Sequence, residues 1–288
     1  MALNRNKAPF IKDAVDFDIR LKPYQHYRLD NQVEVYAFEG GSQEVMMLDM
    51  VFYAGNSYEQ KNWVAAATNF LLKNGTSTKT AFEINEAFEF YGAYLNRSCY
   101  NETSTISLHC LNKHFEKVIP TVSELITEAQ FPEKELEIYQ KNQIQRLTLN
   151  LKKGDFIANR LIDEYLFGIE HPYGKYSTEK DFNLLTREDL VNFYNQFYKN
   201  GKLVIFMAGK FPLSAIELLN KLIKYEKYEE HKKHKDSRGD FCELWKITND
   251  DMRGPIKDGW PFRQLNIATS SKNVLHSLGD SILGIAIE

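Results

Sequence analysis

Apolar and polar positions alternate over residues 33–38, and a denser apolar run at 45–53 stops at Ala54-Gly55. Both have the length and composition of strands. Residues 63–72 are apolar and alanine-rich, which predicts a buried helix closed by Asn74-Gly75. Thr80 stands three residues before Glu83. At that spacing a hydroxyl and a carboxylate cap each other's backbone N–H groups at a helix start. This second helix runs to Tyr91-Gly92. Two further strands are predicted over 93–100 and 103–110, joined through Asn101-Glu102.

Helical periodicity then takes over. Phe115, Val118, Ile119, Val122, Leu125 and Ile126 form one apolar stripe. Pro132 opens a helix carrying Leu136, Tyr139, Ile144 and Leu147, and Gly154 precedes another through Ile157, Leu161, Ile162 and Leu166. Thr186, followed by Glu188 and Asp189, marks a capped helix start. A last strand is expected over 202–208 and a short helix over 213–223. The pattern is weaker at both ends. Residues 1–30 are polar, with Pro9 and Pro23, and read as an extended arm. Residues 225–240 are dense in charge and read as a linker. Residues 241–288 lack the periodicity of a complete domain. The predicted domain is therefore 31–224.

Composition narrows the function. Of 288 residues, 43% are hydrophobic, enough for a sizeable core, while a net charge of −3 supplies no basic field for nucleic acid. No apolar run reaches the length of a membrane span. The first residues, Met1-Ala-Leu-Asn-Arg-Asn-Lys7, have no apolar segment of the secretory kind, so no signal peptide is expected. Cys99, Cys110 and Cys242 are too few for a disulfide framework. A reducing, cytoplasmic setting follows as the expectation.

Local candidates for chemistry are sparse. His231-Lys-Lys-His234 has the form of a metal pair but sits in the charged linker with no third ligand near it. His109 and Cys110 would face opposite sides of a strand, so they cannot readily share a metal with His114. Asp13, Asp16 and Asp18 lack the loop spacing of a calcium site. No glycine-rich phosphate loop or nucleophile elbow is present. His171-Pro-Tyr-Gly174 reads as a structural turn.

Five stretches occur in a telling order: Phe52-Tyr-Ala-Gly55, Leu72-Lys-Asn-Gly-Thr76, Gly92-Ala-Tyr-Leu-Asn96 with Glu102-Thr-Ser-Thr105, His171-Pro-Tyr-Gly174, and Thr186 to Tyr194 followed by Tyr198 and 203–209. Together they resemble the insulinase/pitrilysin peptidases, family M16, over residues 33–210. The resemblance implies an α+β fold, an antiparallel sheet with helices packed on one face, and one half of a two-half protein that closes on a peptide. It makes 241–288 a truncated or diverged remnant of the second half, with Gln264 to Ile267 as a trace of its first strand.

The family binds zinc through H-x-x-E-H and a later Glu. Counted back from Gly75-Thr76, the first His falls on Ala66, the Glu on Asn69 and the second His on Phe70. Glu135-Leu-Glu137 sets the register of the later helix, where the third ligand falls on Arg146. Methyl, amide, phenyl and guanidinium groups do not replace imidazole and carboxylate donors. No metal and no other cofactor is expected. Arg146 is expected to face Asn69, or a carboxylate across the gap, and to fill the metal's place. The resemblance further implies an inactive subunit that holds an extended peptide along an edge strand through Tyr94, Asn96, Arg97 and Glu102, or that completes a chamber with an active H-x-x-E-H partner. Self-association through the face left by the missing half is an equivalent expectation for the partner. Alternatives are a peptidase or other enzyme with unrecognised chemistry, and a structural assembly protein.

Overall fold

Every second side chain of the long strands is buried, and this parity sets the architecture. The computed structural model describes residues 23–212 and 214–223. Six strands form one sheet: β1 (Gln25–Arg28), β2 (Glu34–Glu39), β3 (Val45–Phe52), β4 (Tyr94–Cys99), β5 (Ser104–Leu111) and β6 (Leu203–Gly209). Their order is β1-β2-β6-β3-β5-β4. In β3, Met46, Leu48, Met50 and Phe52 point inward. They join Leu203, Ile205 and Met207 of β6 and Ile106, Leu108 and Cys110 of β5. The opposite face carries half-open apolar residues, including Val45, Phe38 and Phe206.

Eight helices accompany the sheet: α1 (Val64–Leu71), α2 (Ala81–Phe90), α3 (Phe115–Thr127), α4 (Glu133–Asn150), α5 (Gly154–Phe167), α6 (Glu179–Asn183), α7 (Arg187–Tyr194) and α8 (Ala215–Leu222). The apolar stripe expected of α3 is buried in full, from Phe115 to Ile126. The capping box of α2 forms as its spacing predicts. α7 begins with Thr186 and Asp189 in the same reciprocal arrangement. None of the helices among the described residues is long and apolar enough to cross a membrane.

The fold is α+β, as expected. In one pairing the sheet departs from an antiparallel arrangement: β2 and β6 run parallel, while the other four pairings are antiparallel. A parallel pair needs a long crossover connection. Here everything from β3 to α7 lies between the two strands in sequence. β1 lies inside the stretch read as an arm and pairs with β2 at the sheet's edge. The opposite edge is β4. Residues 1–22 and 224–288, and with them most of the expected arm, linker and remnant, lie outside the described residues. So do Asp13, Asp16, Asp18, His231, His234 and Cys242.

Candidate functional site: a cavity beside an edge strand

α1 starts at an unusual corner. Trp63 precedes it with φ 75°, in the left-handed region. The Glu59 carboxylate accepts the backbone N–H groups of Trp63 (2.9 Å) and Ala65 (3.0 Å), two donors that a helix start leaves open. Burial pushes the Glu59 carboxyl up to about 7 despite these bonds. Val64, Ala65, Ala67, Thr68 and Leu71 seat the helix in the core. Ala66, Asn69 and Phe70 lie on the flank that turns toward α4.

That flank closes a cavity of about 420 Å³ lined by residues of α1, β4, α4 and α5 with Ser177 and Phe182 beyond them. Ala66, Asn69, Phe70 and Arg146 all line it, so the four positions inferred from register do converge in space. Tyr139, Gln143 and Arg146 follow one another at helical spacings of four and three, which puts them on one face of α4. Trp63 reaches across, its indole N–H donating to the Tyr139 hydroxyl at 2.7 Å. The Phe70 ring packs against Tyr139 with centroids 5.1 Å apart.

β4 contributes Arg97 and Cys99. Strand parity explains this. Leu95, Arg97 and Cys99 lie opposite the buried Leu108, Ile106 and Ser104 of β5 and so face the helices. The Arg97 guanidinium lies over the Phe70 ring, 4.6 Å from its centre, and donates to the Phe70 carbonyl. Burial holds its pKa below the ordinary arginine value. Asn69 donates from Nδ2 to the Ser98 carbonyl at 2.6 Å. This bond ties α1 to the edge strand. Two buried polar atoms, Asn69 Oδ1 and Arg97 Nε, have no hydrogen-bond partner. Burial pushes the Cys99 thiol up to about 11, and its S–H is aimed at Asn56 Oδ1, 3.3 Å away. It is a neutral thiol rather than a ready nucleophile.

The expected edge-strand set divides into three places. Tyr94 and Asn96 lie on the open face of the sheet, and Tyr94 is 63% exposed. Arg97 faces the cavity. Glu102 belongs to the β4–β5 turn, where it accepts hydrogen bonds from the Tyr173 hydroxyl and, at 3.4 Å, from Ser57. His171 stays in its turn, its Nδ1 accepting the Tyr173 N–H at 3.1 Å. His109 and Cys110 face opposite sides of β5, the first exposed and the second buried. Arg146 shares the cavity with Asn69, but among the described residues no carboxylate lies within ion-pair distance of it. Three contributors were not singled out in advance: Glu59, Arg97 as a cavity residue, and the Trp63–Tyr139 pair. The alternation Leu95-Arg97-Cys99 and the spacing 139-143-146 carried the signal for two of these.

Zinc does not fit these residues. Ala66 and Phe70 have no donor atom, the Asn69 amide is committed to Ser98, and Arg146 brings a fixed positive charge. Among the described residues no group of three or more His, Cys, Asp or Glu side chains is placed to hold a metal ion.

The model of the insulinase family, peptidase family M16, matches residues 39–160. An uncharacterized zinc protease of Mycobacterium leprae is 24% identical over 164 residues, covering 55% of this chain and 37% of the relative. Subunit 1 of the mouse mitochondrial cytochrome b-c1 complex is 22% identical over 188 residues, covering 63% of this chain and 38% of the relative. Among solved structures, the peptidase M16 inactive domain from Pseudomonas fluorescens superposes with a TM-score of 0.67 at 22% identity, over 73% of this chain and 53% of that one. The chain thus spans less than half the length of these curated relatives. Sequence pattern, sheet topology and family match agree: residues 39–160 match the insulinase family, peptidase family M16, and the fold is that of an M16 half-unit.

Proposed function

We propose that this chain is a non-catalytic M16 half-unit that holds an extended peptide along β4, acting beside an active subunit of the same family that bears an intact H-x-x-E-H motif. One observation carries the reading. The four residues at the metal positions share one cavity wall, none supplies a zinc donor, and β4, which among the described residues has no second strand partner, lies next to them. Losing the metal does not remove the edge. Peptides add to such edges through main-chain hydrogen bonds, which depend on backbone geometry and not on a metal. The name of the Pseudomonas fluorescens neighbour, an inactive M16 domain, supports the reading. So does the likeness to a subunit of a larger mitochondrial complex.

The test is direct. The purified chain should bind labelled extended peptides in fluorescence anisotropy and leave them uncut over hours, with or without a chelator. It should also co-purify with a full-length M16 peptidase from its own cells. Turnover that persists in chelator and follows the protein through purification would sink the proposal in favour of an enzyme with different chemistry.

A further inference from the structure

We propose that the cavity at the altered metal position receives a carboxylate of the bound peptide, from an acidic side chain or a free C-terminus. This deepens the peptide-binding reading and rests on it. A zinc site is built of acceptors that surround a cation. Here the wall is inverted: two guanidinium groups, Arg97 and Arg146, border the cavity, and among the described residues no Asp, Glu or His does. Guanidinium has only donors, in a fork that matches a carboxylate.

The two arginines differ in their freedom. Arg97 is fixed by its stacking on Phe70 and its bond to the Phe70 carbonyl. Its charge lies against the cavity wall, largely buried, with Nε unpartnered and, among the described residues, no carboxylate beside it. An uncompensated charge in that position makes the neighbouring space favourable to an anion. Arg146 is exposed and has no acidic partner among the described residues, so its head is available for direct contact. Cys99 adds no negative charge, being held as a thiol. Five aromatic side chains also line it: Trp63, Phe70, Tyr139, Phe156 and Phe182. The favoured ligand group is therefore a carboxylate next to apolar or aromatic bulk. The cavity of about 420 Å³ has room for one such residue and not for a folded domain.

The experiment uses the full chain and four peptides of one sequence: an internal Glu or its Gln counterpart, each with a free or an amidated C-terminus. N-acetylphenylalanine serves as a small free carboxylate, followed by NMR or calorimetry. Replacing the responsible carboxylate should weaken peptide binding about tenfold, the usual effect of one charge-assisted hydrogen bond. The Glu and C-terminal arms tell the two sources apart. Arg146→Gln, at an exposed position, should erase the discrimination between charged and neutral peptides. Two results would overturn the inference: charged and neutral peptides bound equally by the natural chain, or discrimination that survives in Arg146→Gln. If no peptide binds while N-acetylphenylalanine binds in an Arg146-dependent way, the carboxylate site stands and strand addition fails. If neither binds, the inference falls as well.

Discussion

α1 ends in one neighbourhood and flanks another, and the two are built differently. At its C-terminal end Leu72 is fully buried. Gly75 there sits at φ 151°, and a Cβ at that position would come within 3.1 Å of Pro132. Thr76 donates to Glu124 at 2.5 Å and accepts the Lys79 N–H, while Asn74 donates to Glu135 at 2.7 Å. On the cavity flank, by contrast, Phe70 is 42% exposed, Arg146 has no acidic partner among the described residues, and two buried polar atoms are unsatisfied. The closing turn is a part of the scaffold in which each group leans on the next. The cavity wall leaves polar groups unmatched and side chains open.

The widest contrast should come from restoring the wall. The quadruple change Ala66→His, Asn69→Glu, Phe70→His and Arg146→Glu should take zinc binding from undetectable to micromolar or tighter, about 8 kcal/mol at the standard state. A folded variant without zinc uptake in calorimetry would refute the register. Peptidase activity need not follow, since the groups that orient metal ligands are not restored with them. Next in size is Leu72→Ala in the closing turn, which should cost about 3–4 kcal/mol in urea denaturation.

Glu59, at the start of α1, gives a comparable effect with a pH signature. Its folded pKa of about 7 lies above the ordinary 4.5, chiefly through burial, so the folded chain keeps a proton that the unfolded chain releases between those values. Its contribution to stability is complete below about pH 4.5 and is lost as pH rises through 7, on the order of 3 kcal/mol in all. Denaturation curves of the natural chain and Glu59→Gln should diverge across that window. Parallel curves would show that the carboxyl titrates normally. Thr76→Ala, which strands the Lys79 N–H and a bond to Glu124, should cost about 1–2 kcal/mol by the same measurement. Smallest of all, Arg146→Ala should change stability by less than about 0.5 kcal/mol, as an exposed side chain without an ion-pair partner predicts. A large loss there would erase the distinction between scaffold and wall.

Local signals carried most of the fold. Thr80 and Glu83, three residues apart, mark a helix start without any knowledge of the rest of the chain, and the box forms. The alternation over 33–38 put Val33, Val35 and Ala37 on one face, and all three are buried. The parallel pairing of β2 with β6 had no such signal, because a strand's pattern fixes its buried face but not its neighbour. The short helix α6, with its own capping box at Thr178 and Asp181, was missed. It is only five residues long, too short for an apolar period to appear. At the site, counting from Gly75-Thr76 for Ala66, Asn69 and Phe70, and from Glu135-Leu-Glu137 for Arg146, led to four residues that line one cavity. Grouping Tyr94, Asn96, Arg97 and Glu102 into one surface ignored parity, which sends Arg97 to the helix side and Tyr94 to the open side. Glu59 is a lone acid in a polar stretch, and only burial gives it meaning.

The place of β6 sets a condition on synthesis. It comes late among the described residues, yet it lies between β2 and β3, paired to both along their lengths. Until residues 203–209 emerge from the ribosome, the early strands face each other across a gap one strand wide, with main-chain donors and acceptors open on both sides. Such exposed edges invite pairing with other chains. A nascent chain stalled before β6 would hold helices α1 to α7 over a split sheet, and only the arrival of the last strand would close it.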